Sequence, residues 1–316
     1  MSIRSSLLAI SRPASIALAL LLLQFPTQAW NGTGHRVIAA IAYDTLTPAT
    51  RARVDDLVRR HPDYQRYFLQ NAPSDPAARA RAAFIAASVW ADQIKSDPRF
   101  YDDDRRDTRP TPLLPGFPDM ARHQYWHFVN LPFTQDGSRL RDPRAPHVVT
   151  EIERLSRALA RPVGDPANPV YALPWLLHLV GDIHNPLHSA TRFTREDPGG
   201  DRGGNAVYVE PGRNLHSYWD GLAGPDPSSA TYVDHLADQL LRSNRLESDN
   251  LSPVSWAQEG VERAKKTVYT FGRASGTQNR PVSLSTGYRA EAKELAGKQL
   301  ASAGYRLSAL LNRQLR

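Results

Sequence analysis

The chain has 316 residues, no cysteine, and 39 basic against 32 acidic side chains, for a net charge of +7. Without cysteine there can be no disulfide, no thiol nucleophile and no thiolate metal site, so any metal must be held by His, Asp, Glu or main-chain groups. The length can bury a sizeable core in one or two domains, and the modest positive excess suits an anionic polymer without requiring one.

The first segment reads as a leader. Arg4 and Arg12 precede an apolar run from Ile16 to Leu23, and Thr27-Gln28-Ala29 supplies small residues at a cleavage position. The run is too short to span a bilayer comfortably, so the expectation is a signal peptide over 1–29, cleavage after Ala29, and a secreted or periplasmic protein without stable membrane insertion. Removal of 1–29 takes away two arginines and no acid, which leaves 287 residues and a charge of +5.

Helices follow in order. Arg36 to Leu46 is apolar with helical spacing, and Thr47-Pro48 signals the start of a second helix through about Arg60. Asp75-Pro76 repeats that signal before an Ala-rich run, predicted as one helix from Ala77 to Lys95. Residues 96–120 are rich in Asp, Arg and Pro and read as a long loop, expected as a disordered surface excursion in preference to one that reaches a cleft. Tyr125 to Val129 is either extended or a short helical piece. His147 to Ala160 is amphipathic, with Val148, Ile152, Leu155 and Leu159 on one side. A proline-containing turn at 162–169 leads into Trp175–His188, which Pro186 ends or bends. A long loop is expected over 190–214, then helical segments at 215–223, 229–243, 253–273 and 284–314. No stretch forms a convincing sheet, so the predicted fold is all-α, one mainly helical domain over 30–316 with long loops.

The stretch WLLHLVGDIHNPLH is apolar enough for a buried helix yet carries His178, Asp182, His184 and His188. His178 and Asp182 are four residues apart and share a helix face, as do His216 and Asp220 in NLHSYWD. His35 follows Trp30 on a Gly-rich segment, Asp92 sits in SVWADQIK, and His127 in YWHFVN. Each of these alone fits core packing. Together they are too many ionisable groups to bury without a cation, and imidazole with carboxylate suits zinc.

Taken in order, these motifs make the sequence similar to the S1/P1 nuclease family. They are an N-terminal Trp with Gly-His behind it, Trp-Ala-Asp, His-Phe, His-x-x-x-Asp-x-x-x-x-x-His, Gly-Gly-Asn and Asn-Leu-His-x-x-x-Trp-Asp. The resemblance implies a zinc phospholipase C / P1 nuclease-type fold and three Zn²⁺ per chain. Asp92, His127, His178 and Asp182 resemble the ligands of the first zinc. The α-amino group and carbonyl of Trp30, with His35 and a shared Asp182, resemble those of its paired zinc. His188, His216 and Asp220 resemble the third, more open site. Lys95, three residues after Asp92, corresponds to the basic residue that stabilises the transition state, and Asp92 is counted with it in the catalytic pair. Phe128 resembles the residue that stacks on a base, and Asn130, Gly203 and Asn205 resemble groups that hold a base edge. His123 and His184 match no motif position and read as structural.

The implied activity is hydrolysis of single-stranded DNA and RNA to 5′-phosphates by a metal-activated hydroxide, with 3′-nucleotides as further substrates, by a monomer. The fungal and plant members carry disulfides, so the absence of cysteine points to a bacterial member. The family often has Asp where Asn130 stands. Zinc-dependent phospholipase C is the competing reading, but it usually ends its last ligand pair in Glu rather than in the Asp220 found here. A non-enzymatic exported metal-binding protein is the third reading.

Overall fold

A computed structural model describes residues 30–161, 168–244, 250–271 and 276–316. The expected leader over 1–29 and most of the 162–169 turn lie outside the described residues. The centre of the fold is α6 (Pro169–Ile183), in which every residue is buried. A helix apolar on all sides can only sit inside other helices. It packs against α1 (Gly32–Asp44), α2 (Pro48–Arg60), α5 (Val148–Leu159) and α11 (Thr286–Gln314). Leu176, Leu177 and Leu179 are fully enclosed, each contributing about 1.5–3 kcal/mol of burial.

The caps are those the sequence advertises. Thr47 accepts a hydrogen bond from the Thr50 amide at 3.2 Å ahead of Pro48. Asp75 accepts from Ala78 at 2.8 Å ahead of Pro76, and His147 caps α5. The first helix begins earlier than its apolar spacing suggests, because Asn31 accepts from the Gly34 amide at 3.1 Å and starts the helix at Gly32.

Two expectations need correction. The run from Ala77 to Lys95 is not one helix: α3 covers Pro76–Ala87, α4 covers Trp90–Gln93, and a 3₁₀ turn covers Ile94–Ser96. Small sheets are also present. β1 (Leu131–Thr134) pairs in parallel with β2 (Ala190–Phe193), Leu131 opposite Ala190 and Thr134 opposite Phe193. β3 (Tyr208–Val209) pairs antiparallel with β4 (Arg213–Asn214). Strands of two to four residues give no usable alternation, and their partners are distant in sequence.

The remaining elements are α7 (Pro186–Ser189), α8 (Leu215–Asp220), α9 (Ala230–Ser243) and α10 (Pro253–Arg263), the last continued by a π-turn at Ala264–Val268. The 96–120 segment is anchored rather than a free excursion. Phe100, Phe117 and Met120 are buried, and Phe117 meets Trp90 and Tyr171 edge-on.

Candidate metal centre

His178 and Asp182 project from one face of α6, as their spacing requires. The chain then breaks and restarts. Asn185 caps α7 by accepting from the Leu187 amide at 3.1 Å, and Pro186 occupies the first helical position. Pro186 therefore opens a helix rather than merely ending one, and this restart places His188 away from the α6 face.

A second break serves His178. In a continuous helix the Ser88 carbonyl would accept from Asp92. Instead the Asp92 and Gln93 amides both donate to Val89, and the freed Ser88 carbonyl accepts from His178 Nδ1 at 2.8 Å. Two further imidazoles are held the same way. His188 Nδ1 donates to the His127 carbonyl at 2.7 Å, and His216 Nδ1 donates to the Gly203 carbonyl at 2.6 Å. A carbonyl only accepts, so in each ring the proton sits on Nδ1 and Nε2 presents a lone pair.

Those lone pairs converge. Three groups form: His35, His178 and Asp182; Asp92, His127 and His178; and His188, His216 and Asp220. Asp182 lies 3.3 Å from His35 Nε2, 2.9 Å from His127 Nδ1 and 3.4 Å from His178 Nε2. His188 Nε2 and His216 Nε2 face each other at 3.1 Å, and His216 Nε2 is 3.7 Å from Asp220. No proton is available between two lone pairs so oriented. A cation between them makes the arrangement favourable. Asp182 Oδ1, Asp92 Oδ2 and His35 Nε2 are also buried without a hydrogen-bond partner. Such orphans are rare unless an ion completes them.

Electrostatics agree. Burial holds His35 and His216 down to about 4 and His127 and His188 well below the usual imidazole value. Burial also pushes Asp182 up to about 8 and raises Asp220 strongly. The short His–Asp contacts are therefore not ion pairs, because the imidazoles are neutral. Asp92 is the exception: burial raises it, but the nearby Lys95 ammonium holds it below the ordinary carboxylate range. A divalent cation inverts this logic, favouring ionised carboxylates beside neutral imidazoles. The donor set, imidazole nitrogen and carboxylate oxygen, fits zinc.

Lys95 Nζ lies 2.6 Å from Asp92 Oδ1, and its side chain is only 10% exposed. Where the chain tightens into the 3₁₀ turn, side chains three apart come close to eclipsing, which brings Lys95 over Asp92. The Trp30 side chain is buried with its indole nitrogen unpartnered. The next amide, Asn31, donates to the Asp220 carbonyl at 3.0 Å, so this segment is stitched to the third group. In the 316-residue chain Ala29 precedes Trp30, and its nitrogen is a peptide nitrogen.

Phe128 is half-buried beside His127, with its ring 6.1 Å from the exposed Tyr125 ring. Asn130 has a left-handed backbone, φ 54°, and its Oδ1 lies 3.4 Å from where a Gly203 side chain would begin. Gly203 itself has φ +62°, and a Cβ there would run into the Leu187 carbonyl. Its carbonyl holds His216 and its amide donates to Thr191 Oγ1 at 3.4 Å, so the structure gives it a positioning task. Asn205 donates to the Arg202 carbonyl at 2.8 Å and accepts from Asn214 at 3.4 Å.

The sequence reading missed Asn185, whose Nδ2 donates to Asp220 Oδ1 at 2.9 Å. Its Asn-Pro cap signal was readable, but not its reach to a residue 35 positions away. The sequence also could not reveal Ser88, which acts through its carbonyl. His123 and His184 are structural, as expected. His123 lies between Asp103 and Asp119 at 3.1 and 3.0 Å and stacks on Trp126 at 3.6 Å. His184 Nε2 accepts from Arg306 at 3.0 Å, and Arg306 is paired to Glu259.

The chain matches the family described as S1/P1 Nuclease over residues 30–316. It is 27% identical to Nuclease S1 of Aspergillus oryzae, covering 95% of this chain and 94% of that protein. It is 24% identical to Endonuclease 2 of Arabidopsis thaliana, covering 90% of each. Endonuclease 4 of Arabidopsis thaliana is 31% identical over 46% of this chain and 51% of that protein. Among the described residues no helix is long and apolar enough to cross a membrane. The chain belongs to the S1/P1 nuclease family and is a phosphodiester-hydrolysing endonuclease with His and Asp groups able to hold metal.

Proposed function

We propose that this protein is an exported nuclease that binds three zinc ions and cleaves single-stranded DNA and RNA, leaving 5′-phosphates, and that it also removes phosphate from 3′-nucleotides. The observation that carries the reading is the pair of imidazole lone pairs on His188 and His216, 3.1 Å apart with both Nδ1 protons already committed. Asp92, His127, His178 and Asp182 would hold one ion. His35, the shared Asp182, and the amino group and carbonyl of Trp30 freed by cleavage after Ala29 would hold its neighbour. His188, His216 and Asp220 would hold the third. Zinc held there lowers the pKa of water towards neutrality and neutralises phosphate charge.

The chain's own residues supply the rest. Asp182 presents one oxygen towards His35 and the other towards His127 and His178, so it would be shared by the ions held on either side. Lys95 places a positive charge beside Asp92, where it can meet the charge that builds on the phosphoryl oxygens. Phe128 offers a ring face to a base that a duplex would keep stacked, which favours single strands. Asn130 both donates and accepts, so it can hold a base edge that Asp could only accept from.

The test combines metal analysis of the purified protein with turnover of single-stranded DNA, single-stranded RNA, a 3′-nucleotide and phosphatidylcholine, with product ends identified. About three zinc ions per chain, chelator-sensitive cleavage of both nucleic acids and 5′-phosphate ends are expected. Cleavage of the lipid alone would make it a phospholipase, and a stable metal-free protein would remove the zinc reading.

A further inference from the structure

Five exposed arginines lie in two segments that are tied by backbone hydrogen bonds to each other and to the chain beside the site. Arg139, Arg141 and Arg144 lie in the segment joining β1 to α5, and Arg195 and Arg202 lie between β2 and β3. None of the five has an ion-pair partner among the described residues. Elsewhere arginines are used up: Arg99 pairs with Asp63 and Asp97 at 2.7 and 2.6 Å, and Arg306 with Glu259 at 2.9 Å. Other exposed arginines are unpaired too. These differ in how they are attached.

The segment carrying Arg139, Arg141 and Arg144 runs from the end of β1 back to Phe128, the residue after His127. It leaves at Thr134 and returns to the Val148 amide, which donates to the Phe128 carbonyl at 3.2 Å. At the far end Asp136 accepts from the Arg195 amide at 2.9 Å, joining the two arginine-bearing segments. β1 carries the chain about 13 Å from Asn130 to Thr134, four residues at roughly 3.3 Å each, and the junction at Asp136 lies two residues further on. At the near end Arg202 has a left-handed backbone, φ 55°. Asn205 closes the turn by donating to the Arg202 carbonyl at 2.8 Å, and Gly203 abuts Asn130. A non-glycine residue held at positive φ in an exposed turn costs energy that its neighbours must offset, and such residues cluster at ligand sites.

We infer that Arg202 and the arginines of the 138–146 segment form a phosphate-binding rim that holds a single strand beyond the nucleotide seated at Phe128 and Asn130. The inference rests on the nuclease reading above and adds which residues hold the strand outside the cleft. Guanidinium groups pair with phosphate oxygens, and binding releases the strand's counterions, so affinity falls with salt at about 0.7 log unit per log unit of salt for each phosphate neutralised on a single strand.

The test replaces Arg139, Arg141 and Arg144 by Gln in the zinc-loaded protein, with Arg202→Gln as a separate variant and thermal melting to verify folding. KM and kcat are measured on a single strand of about 20 nucleotides and on a dinucleotide, between about 50 and 200 mM salt. For the triple variant the 20-mer KM should rise roughly tenfold or more at low salt, its log–log salt slope should fall by about 2, and kcat should hold. The dinucleotide should show neither change. Arg202→Gln should shift the 20-mer slope by less than 1. An unchanged slope in folded, active variants overturns the rim and leaves the nuclease reading standing. If the unaltered protein cleaves no single strand, both fall.

Discussion

Gly181 is the residue whose missing side chain leaves room for His35 in the candidate metal centre. It lies on α6 one position before Asp182, and a methyl group there would stand 2.7 Å from His35 Nδ1, 3.0 Å from Cε1 and 3.3 Å from the Ile38 methyl. Ordinary contact begins near 3.4 Å, so Gly181→Ala must move the His35 ring by about 0.7 Å. The ring has little freedom, since it is fully buried and stacks on His178 at 3.8 Å. Two effects on stability oppose one another. Alanine in a helix interior gains about 1 kcal/mol over glycine, while overpacking a core costs about 1–3 kcal/mol. The net change is therefore a loss of roughly 0–2 kcal/mol, too small to unfold a protein of this size. The site is far less tolerant. A constellation displaced by more than about 0.5 Å loses function, and a 1 Å misplacement can cost roughly 100-fold in rate. Gly181→Ala should thus fold, melt within a few degrees of the unaltered protein, retain substoichiometric zinc and turn over single-stranded DNA about 10- to 100-fold more slowly. Gly297→Ala on α11 is the matched control, because its methyl would meet only the end of Leu240 at 3.3 Å. It should be at least as stable and fully active. Metal content, melting temperature and kcat on one preparation decide the matter. Full zinc occupancy with unaltered kcat in Gly181→Ala would refute the claim that His35 needs this glycine.

Lys95→Ala should lower kcat by roughly 100- to 1000-fold while leaving metal content intact, since removing one charge-stabilising donor has about that effect; loss of zinc would instead make Lys95 a structural partner of Asp92. His61 tests acid stability away from the metal. Burial, with Arg99 nearby, holds it down to about 3, and its Nδ1 accepts from the Asp63 amide at 3.1 Å. The unfolded chain takes up a proton near 6.5 that the folded chain refuses until about 3. Its contribution is therefore complete above about pH 6.5 and is lost as pH falls, at about 1 kcal/mol per pH unit. His61→Asn keeps an acceptor for Asp63, so urea unfolding between pH 5 and 7 should show a shallower slope, and an unchanged slope would exclude His61 as a cause.

The sequence by itself determined most helix positions and named the side chains that the fold gathers into three His and Asp groups. Proline after Thr47 and Asp75 places two helix starts because capping is local. The His178/Asp182 and His216/Asp220 pairs are legible because a helix brings residues four apart onto one face. Only the tertiary structure decided what those residues do together. The interruption of the Ala77–Lys95 run was invisible, since alanine favours helix throughout; its reason is the Ser88 carbonyl, claimed by His178 ninety residues later. The β1–β2 pairing was equally hidden, because four-residue strands carry no pattern, yet it joins the chain after His127 to the chain after His188. Gly203, read as a group for a base edge, is occupied with His216. Local rules place a side chain on a face. Which proton it carries, and which lone pair it leaves for a cation, is settled by backbone carbonyls brought from elsewhere in the fold.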